Sequence, residues 1–229
     1  MTNYLDKLTR RIIDERLFLL GKEEYATLHN KFLNPLDLII NCDLFAKEIN
    51  QYHDDFKQWG DRYPDLPRYG IPIVNENGRL DNNIDPTIGS LSHWNEDHPD
   101  FPVIENDFSV PTEIANIKSL NVLKIFKGEL TRSNILKWYA GAEFKPHVDC
   151  AVPTPYLRFW GTTDPSTIEL SYLDGNVFRA VQGIEKGRLY LIDTSIVHIA
   201  KATGFNYQFF ISLKAKAWKL IKTHLVTDR

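Results

Sequence analysis

The chain has 229 residues, 43% of them hydrophobic and 25% charged, with a formal net charge of −3. A chain of this size and make-up fits one domain and can bury a sizeable core, and its charge gives no reason to expect nucleic acid or an anionic membrane as partner. The densest basic run, Lys214 to Lys222, alternates with apolar residues, and no stretch approaches the ~20 apolar residues that cross a bilayer.

In chain order, the opening MTNYLDKLTRRIIDERLFLL carries charges throughout, so it reads as neither a signal peptide nor a membrane span. Leu5, Leu8, Ile12, Ile13, Leu17 and Leu20 recur at helical spacing, which predicts a helix over 4–20. A second helix is expected over 43–58, with Asp43 as N-cap and Leu44, Phe45, Ile49 and Phe56 on its buried side. Residues 1–60 are thus read as a helical buttress. Between 61 and 115 the character changes: Pro64, Pro67, Pro72, Pro86, Pro99, Pro102 and Pro111 fall among many Asn, Asp and Gly. One strand, Tyr69 to Val74, is expected there, followed by a turn at Asn75-Glu-Asn-Gly78. So long an irregular stretch is either a lid over a binding site or a surface excursion without a role.

From Ile135 onward the pattern is short strands and turns: 135–140, 156–162, 167–173, 177–181, 189–193 and 205–213, with Asp174-Gly175 as a hairpin signal. Closely spaced strands in one block indicate a sandwich or jelly roll, mainly β with N-terminal helices. Trp218 and Leu220 are expected to close its C-terminal end. Cys42 and Cys150 make no disulfide framework and read as two reduced thiols of a cytoplasmic protein.

The triplet His-x-Asp occurs at His53–Asp55, His98–Asp100 and His147–Asp149, and with seven His and thirty acidic residues about one His-x-acid arises by chance. Geometry separates the three. His53 and Asp55 fall in the expected helix, where i and i+2 diverge. His98 and Asp100 flank Pro99 in the irregular stretch. His147 and Asp149 lie in chain expected to be extended, where i and i+2 share a face and can meet one ion. His198, after the strand at 189–193, is the candidate third ligand. Two imidazoles and one carboxylate on one face leave open positions suited to iron(II) and oxygen. The alternative is a pair of unrelated polar histidines.

From Ile135 to Lys214 the sequence resembles the aspartyl/asparaginyl β-hydroxylase-like branch of the iron(II)/2-oxoglutarate oxygenases, which includes the proline 3-hydroxylases. The resemblance rests on Gly141, Lys145-Pro-His-Val-Asp149, Leu157-Arg-Phe159, Gly187-Arg-Leu-Tyr-Leu-Ile-Asp-Thr-Ser195 and His198. It implies a double-stranded β-helix over roughly 120–214, with the 61–115 stretch over its mouth, and iron(II) held by His147, Asp149 and His198. Arg158 matches an Arg that faces the active site and meets a carboxylate. The sequence departs from the family at two positions. Gln208 stands where an Arg usually binds the distal carboxylate of 2-oxoglutarate, and Trp160 stands where a His is common. Arg158, Arg132, Lys137 and Lys201 are the cations that can substitute. The implied activity is O2-dependent hydroxylation of a small carboxylate-bearing molecule, such as a free amino acid. A peptide or protein side chain is the alternative substrate. A cupin-like metalloenzyme that does not use 2-oxoglutarate, and a metal-free β-sandwich binding module, are the alternative classes.

Overall fold

A computed structural model describes residues 31–59, 65–80, 88–149 and 156–226. The helix expected over 4–20 lies outside the described residues. Twelve strands and three short α-helices are resolved among the rest. β1 spans Leu33–Ile39 and α1 Cys42–Ile49. β2 (Lys57–Gln58), β3 (Arg68–Asn75), α2 (Leu91–Asp97) and β4 (Val110–Pro111) follow. The C-terminal block holds β5 (Ser133–Trp138), β6 (Glu143–His147), β7 (Tyr156–Thr162), β8 (Ile168–Asp174) and β9 (Val177–Ala180). It continues with β10 (Arg188–Ile192), β11 (His198–Ala202), β12 (Asn206–Lys214) and the helical turn α3 (Trp218–Ile221).

The strands form two antiparallel sheets. The larger runs β1-β10-β7-β12-β5-β3-β2, with β4 added to β3, and the smaller runs β6-β11-β8-β9. β5, β7, β10 and β12 lie in the large sheet and β6, β8, β9 and β11 in the small one, so that β10-β7-β12-β5 faces β6-β11-β8-β9, which is the strand order of a double-stranded β-helix. The expected jelly roll is therefore the fold.

Two apolar layers result from the period-two alternation of these strands. Ile135, Leu157, Phe159, Leu189, Leu191, Phe209, Ile211 and Leu213 face outward from the large sheet onto α1, α3 and the 3-10 turns between 113 and 126. Leu136, Trp138, Trp160, Tyr190, Ile192, Leu170 and Ala200 point the other way, into the space between the sheets. Phe45 of α1 meets Phe209 edge-on, with ring centroids 4.9 Å apart. Trp218 is buried in the outer layer as expected, whereas Leu220 is 36% exposed and closes nothing.

The helical reading of residues 1–60 fails at β1. There Leu36 and Leu38 are buried while Asp37 and Ile39 are exposed, a strand alternation. Pro35 removes a helical donor but is tolerated because β1 is an edge strand, paired only with β10 among the named strands. The second helix is also shorter than expected. Asn41, not Asp43, is the N-cap, its Oδ1 accepting from the Leu44 N–H at 3.0 Å. After Ile49 the chain tightens into a 3-10 turn, leaves helical geometry at Tyr52, and enters β2 by Lys57. The turn signals hold: Asn75 Oδ1 accepts from the Gly78 N–H at 2.6 Å, and Gly175, at φ 59°, turns β8 into β9.

Gly187 locks the edge of the barrel to the N-terminal segment. Its φ is 75°, its carbonyl accepts from the Ile40 N–H at 2.8 Å, and its N–H donates to Thr162 O at 2.8 Å. A Cβ at this position would collide with the Ile40 carbonyl and the Cys42 Sγ. Gly187→Ala is expected to cost about 2–4 kcal/mol, combining left-handed strain with the collision. Thermal unfolding would read this as a fall of roughly 5–15 °C for a chain of this size.

Candidate metal centre

β11 lies between β6 and β8 in the small sheet, and its register sets His198 directly opposite His147. The turn before β11 is built by Asp193, whose Oδ1 accepts from both the N–H (3.0 Å) and the Oγ (2.6 Å) of Ser195. That turn presents the Ile196 carbonyl to His198 Nδ1 at 2.9 Å. On the neighbouring strand, His147 Nδ1 meets the Lys145 carbonyl at 2.7 Å. A carbonyl only accepts, so both rings carry their proton on Nδ1 and turn a bare Nε2 lone pair outward. Asp149 is tied by its N–H to the Thr194 carbonyl at 3.1 Å, just past the end of β6.

The three side chains converge. One ligand-type atom from each of His147, Asp149 and His198 lies within 4.8 Å of the other two, and the two imidazole centroids are 4.3 Å apart. Among the described residues no other group of His, Cys, Asp and Glu gathers in this way. Two neutral imidazoles and a carboxylate on adjacent strands can hold a divalent metal of the borderline class.

Arg158, at the start of β7 on the opposite sheet, reaches across the barrel to Asp149. Its NH1 donates to Asp149 Oδ2 at 2.6 Å and its NH2 to Ser212 Oγ at 3.3 Å. The other Asp149 oxygen, Oδ1, stands 3.5 Å from His147 Nε2, on the side of the histidines. Burial would raise the Asp149 carboxyl, but the Arg158 guanidinium outweighs it and holds the group well below the usual carboxylate range, with His147 and His198 adding to the effect when they are protonated. His198 is 5% exposed; burial, then repulsion from His147, push its pKa down to about 4, against the pull of Asp149.

The remaining candidates divide by face. Arg158, Trp160, Gln208 and Ser212 alternate onto the inner face of β7 and β12, as the pairing of Ser212 with Arg158 and of Phe210 with Trp160 requires. Trp160 Nε1 donates to Gln208 Oε1 at 2.9 Å, and both side chains are buried. Gln208 Nε2 has no hydrogen-bond partner among the described residues. Lys137 does not face the site: its Nζ donates to the His53 carbonyl at 3.2 Å and sits over the Phe56 ring, on the outer side of the sheet. Neighbours on β5 have opposite faces, so Lys137 points away from Leu136 and Trp138, which line the interior. Lys201 is exposed on β11. Arg132, just before β5, is buried and donates from Nε to Glu105 at 3.2 Å. His53 lies on an exposed 3-10 turn, and His98 stacks on Trp94 at 3.9 Å, so neither rival triplet gathers ligands. Cys42 is buried and unpaired, while Cys150 lies outside the described residues.

Glu105 and Ser212 were not singled out from sequence. Ser212 was within reach, because it continues the inward alternation from Gln208. Glu105 had no signal, since nothing in an irregular segment says where a carboxylate will land.

No protein-family model matches the chain, and no curated protein matches it. Among solved structures it is similar to a Pseudomonas putida prolyl-4-hydroxylase, with 11% identity over 84% of this chain and 100% of that one, at a TM-score of 0.45. It is also similar to a Trichoplax adhaerens prolyl hydroxylase solved in complex with a hypoxia inducible factor oxygen degradation domain peptide fragment. That match has 11% identity, covers 96% of each chain and has a TM-score of 0.47. A third is YcfD, a ribosomal oxygenase from Escherichia coli in complex with cobalt and succinic acid, at 15% identity and a TM-score of 0.29. It is matched over 38% of this chain, which spans only 24% of the YcfD chain. A Streptococcus pyogenes protein of unknown function, SPY1581, is spanned over 65% of its length. At these identities the fold assignment rests on the strand order itself.

Two outcomes follow from this geometry. His198→Ala is expected to abolish tight binding of Mn(II) or Fe(II), followed by paramagnetic resonance or metal analysis, while circular dichroism still reports the folded β signal. The second concerns acid. In metal-free protein His198 stays neutral down to about pH 4, whereas the unfolded chain takes up that proton near its ordinary value of 6.5. Stability is therefore expected to fall as pH drops from 6.5 towards 4, by up to about 3 kcal/mol from this group, with no further loss from it below. Urea titrations of chelator-treated protein at pH 7 and pH 4.5 measure it, and His198→Gln should flatten the slope.

Proposed function

We propose that this protein is a non-haem iron(II) oxygenase that hydroxylates a small carboxylate-bearing molecule, such as a free amino acid, with 2-oxoglutarate as cosubstrate. The observation that carries the reading is the trio of His147, His198 and Asp149 gathered at β11 and the end of β6 inside a double-stranded β-helix. These residues fit iron(II): both Nδ1 atoms are engaged by carbonyls, so the rings are held in the ligating tautomer before any metal arrives. Arg158 binds one Asp149 oxygen and so favours one-oxygen ligation by the other. When bound, iron(II) with 2-oxoglutarate supplies the O2-dependent oxidation of a C–H bond.

The charges nearby support an anionic ligand. Among the described residues Arg132 and Arg158 pair with Glu105 and Asp149, so a divalent metal would add positive charge that suits an anionic ligand. Trp160, Leu136, Phe210 and Ile192 pack together between the two sheets and give the interior apolar walls. A peptide or protein side chain is the alternative substrate, and the 88–107 segment beside the trio is the surface on which it would lie.

A second reading has its own support. Neither Trp160 nor Gln208 carries a charge, and their mutual hydrogen bond fills the position where a cation would meet a distal carboxylate. Gln208 Nε2 can donate to a carboxylate, but without charge assistance. A cupin-like iron enzyme of another reaction class shares every other feature.

One experiment separates the two. Anaerobic addition of 2-oxoglutarate to the iron(II) protein should give a weak visible charge-transfer band, and O2 should then release succinate. Absence of both at millimolar cosubstrate would remove 2-oxoglutarate and leave the second reading. If both appear, Arg158→Ala is expected to lower cosubstrate affinity at least tenfold, as loss of a charge-assisted contact predicts.

A further inference from the structure

Outside the three candidate ligands, a second buried charged group lies at the barrel mouth. Glu105, 2% exposed, points Oε1 at Arg132 Nε (3.2 Å) and at Arg158 NH2 (3.7 Å). Arg132 NH1 also donates to the Gly89 carbonyl at 2.9 Å, so a single guanidinium holds both ends of the stretch from 89 to 105. Within that stretch Asn95 closes onto Val103 through two hydrogen bonds of 2.9 Å, and Trp94 stacks on His98. The stretch is thus held together by its own contacts. Most of its side chains are partly or fully exposed; only Gly89, Leu91 and Glu105 are buried.

Glu105 fits the two arginines poorly. Both reach the same oxygen, at distances well beyond the 2.6 Å of the Arg158–Asp149 contact. Its Oε2 is buried and has no hydrogen-bond partner among the described residues. A guanidinium favours a carboxylate that offers both oxygens in parallel, and a buried carboxylate oxygen left unpaired is costly. A free carboxylate, with no backbone dictating its orientation, can satisfy this pair better than Glu105 does.

We propose that Arg132 and Arg158 form a carboxylate-binding subsite and that Glu105 is its internal occupant, displaced when the carboxylate of a small organic acid binds. The subsite needs only the two arginines; which acid takes it, substrate or cosubstrate, rests on the function proposed above. Displacement removes one of the two Arg132 contacts that close the 89–105 stretch among the described residues, so occupancy of the subsite loosens that stretch beside the metal trio.

Succinate is the probe, titrated calorimetrically into chelator-treated protein. Glu105→Gln keeps the size and removes the charge, and is expected to bind succinate at least tenfold more tightly than wild type; adding Arg132→Gln should erase the gain. Wild-type protein gives a readout that needs no variant: saturating succinate should raise amide hydrogen exchange within 91–104. Unchanged or weaker succinate binding in Glu105→Gln, or exchange in 91–104 that succinate leaves unaltered, would overturn the proposal and make Glu105 a structural strut. Repeating the titration with Mn(II) and 2-oxoglutarate preloaded assigns the subsite. Succinate binding that persists gives it to the substrate, and binding that is lost gives it to the cosubstrate. His198→Ala keeps the two readings apart, since it should lose Mn(II) and retain succinate. Wild type that binds succinate but no Mn(II) would sink the iron reading and leave the subsite standing.

Discussion

The contact on which the candidate site depends is the ion pair between Arg158 and Asp149. It spans the two sheets: Arg158 rises from β7 of the large sheet, and Asp149 follows β6 of the small one. A buried guanidinium costs several kcal/mol unless it is paired and hydrogen-bonded, and Asp149, Ser212 and Glu105 share that task. The same pair occupies one carboxylate oxygen and keeps the group ionised. The Asp149 that meets the two histidines is therefore already charged and already oriented. Removal of Arg158 would disturb the metal trio, the Ser212 contact and the covering segment together, because all three lean on one side chain.

Strand register does the remaining positioning, and it explains how much was legible beforehand. His147 and Asp149 could be chosen over two identical triplets because extended chain brings i and i+2 to one face, whereas helix and irregular loop do not. Trp160 and Gln208 follow from Arg158 by the same alternation. Lys137 shows the cost of not applying it: one step from Leu136 along β5, it points to the outer layer, against Phe56. β11 was missed as a strand although His198 was chosen, since His-Ile-Ala-Lys-Ala carries too little apolar alternation to stand out. Its partners β6 and β8 make it a strand, and pairing between distant segments leaves no local mark. β1 is hidden for the opposite reason: Leu and Ile suit helix and strand alike, and Asn34-Pro35 is the local break that argues against helix.

Charge is distributed unevenly along the barrel axis. The end lined by the start of β7 and the end of β12 gathers two arginines, two carboxylates and two imidazoles. Further in, the walls are Trp160, Leu136, Trp138, Leu170 and Phe210, with the buried polar side chains of Gln208, Thr162 and Asn206 among them and the buried Arg68 over the Phe144 ring. A dianion extending down that axis meets one buried cation among the described residues, Arg68, whose NH1 is already engaged by the Glu143 carbonyl at 2.6 Å. A ligand whose second charge stays near the mouth has two cations to meet, Arg132 and Arg158. The geometry thus favours short acids, or longer ones that bend back towards the mouth.

This arrangement gives the 89–105 stretch a physical part in recognition rather than the role of a passive cover. Its grip on the barrel includes the same two guanidiniums that any carboxylate ligand would seek. Ligand and Glu105 then compete for one set of donors, and the net affinity is the difference between two carboxylate–arginine interactions. Such competition weakens binding of every acid by a similar factor, so it cannot by itself discriminate among them. Discrimination has to come from what else the ligand touches. The part of the site nearest at hand is the trio of His147, Asp149 and His198, which Arg158 already joins to Glu105 through one continuous line of charge.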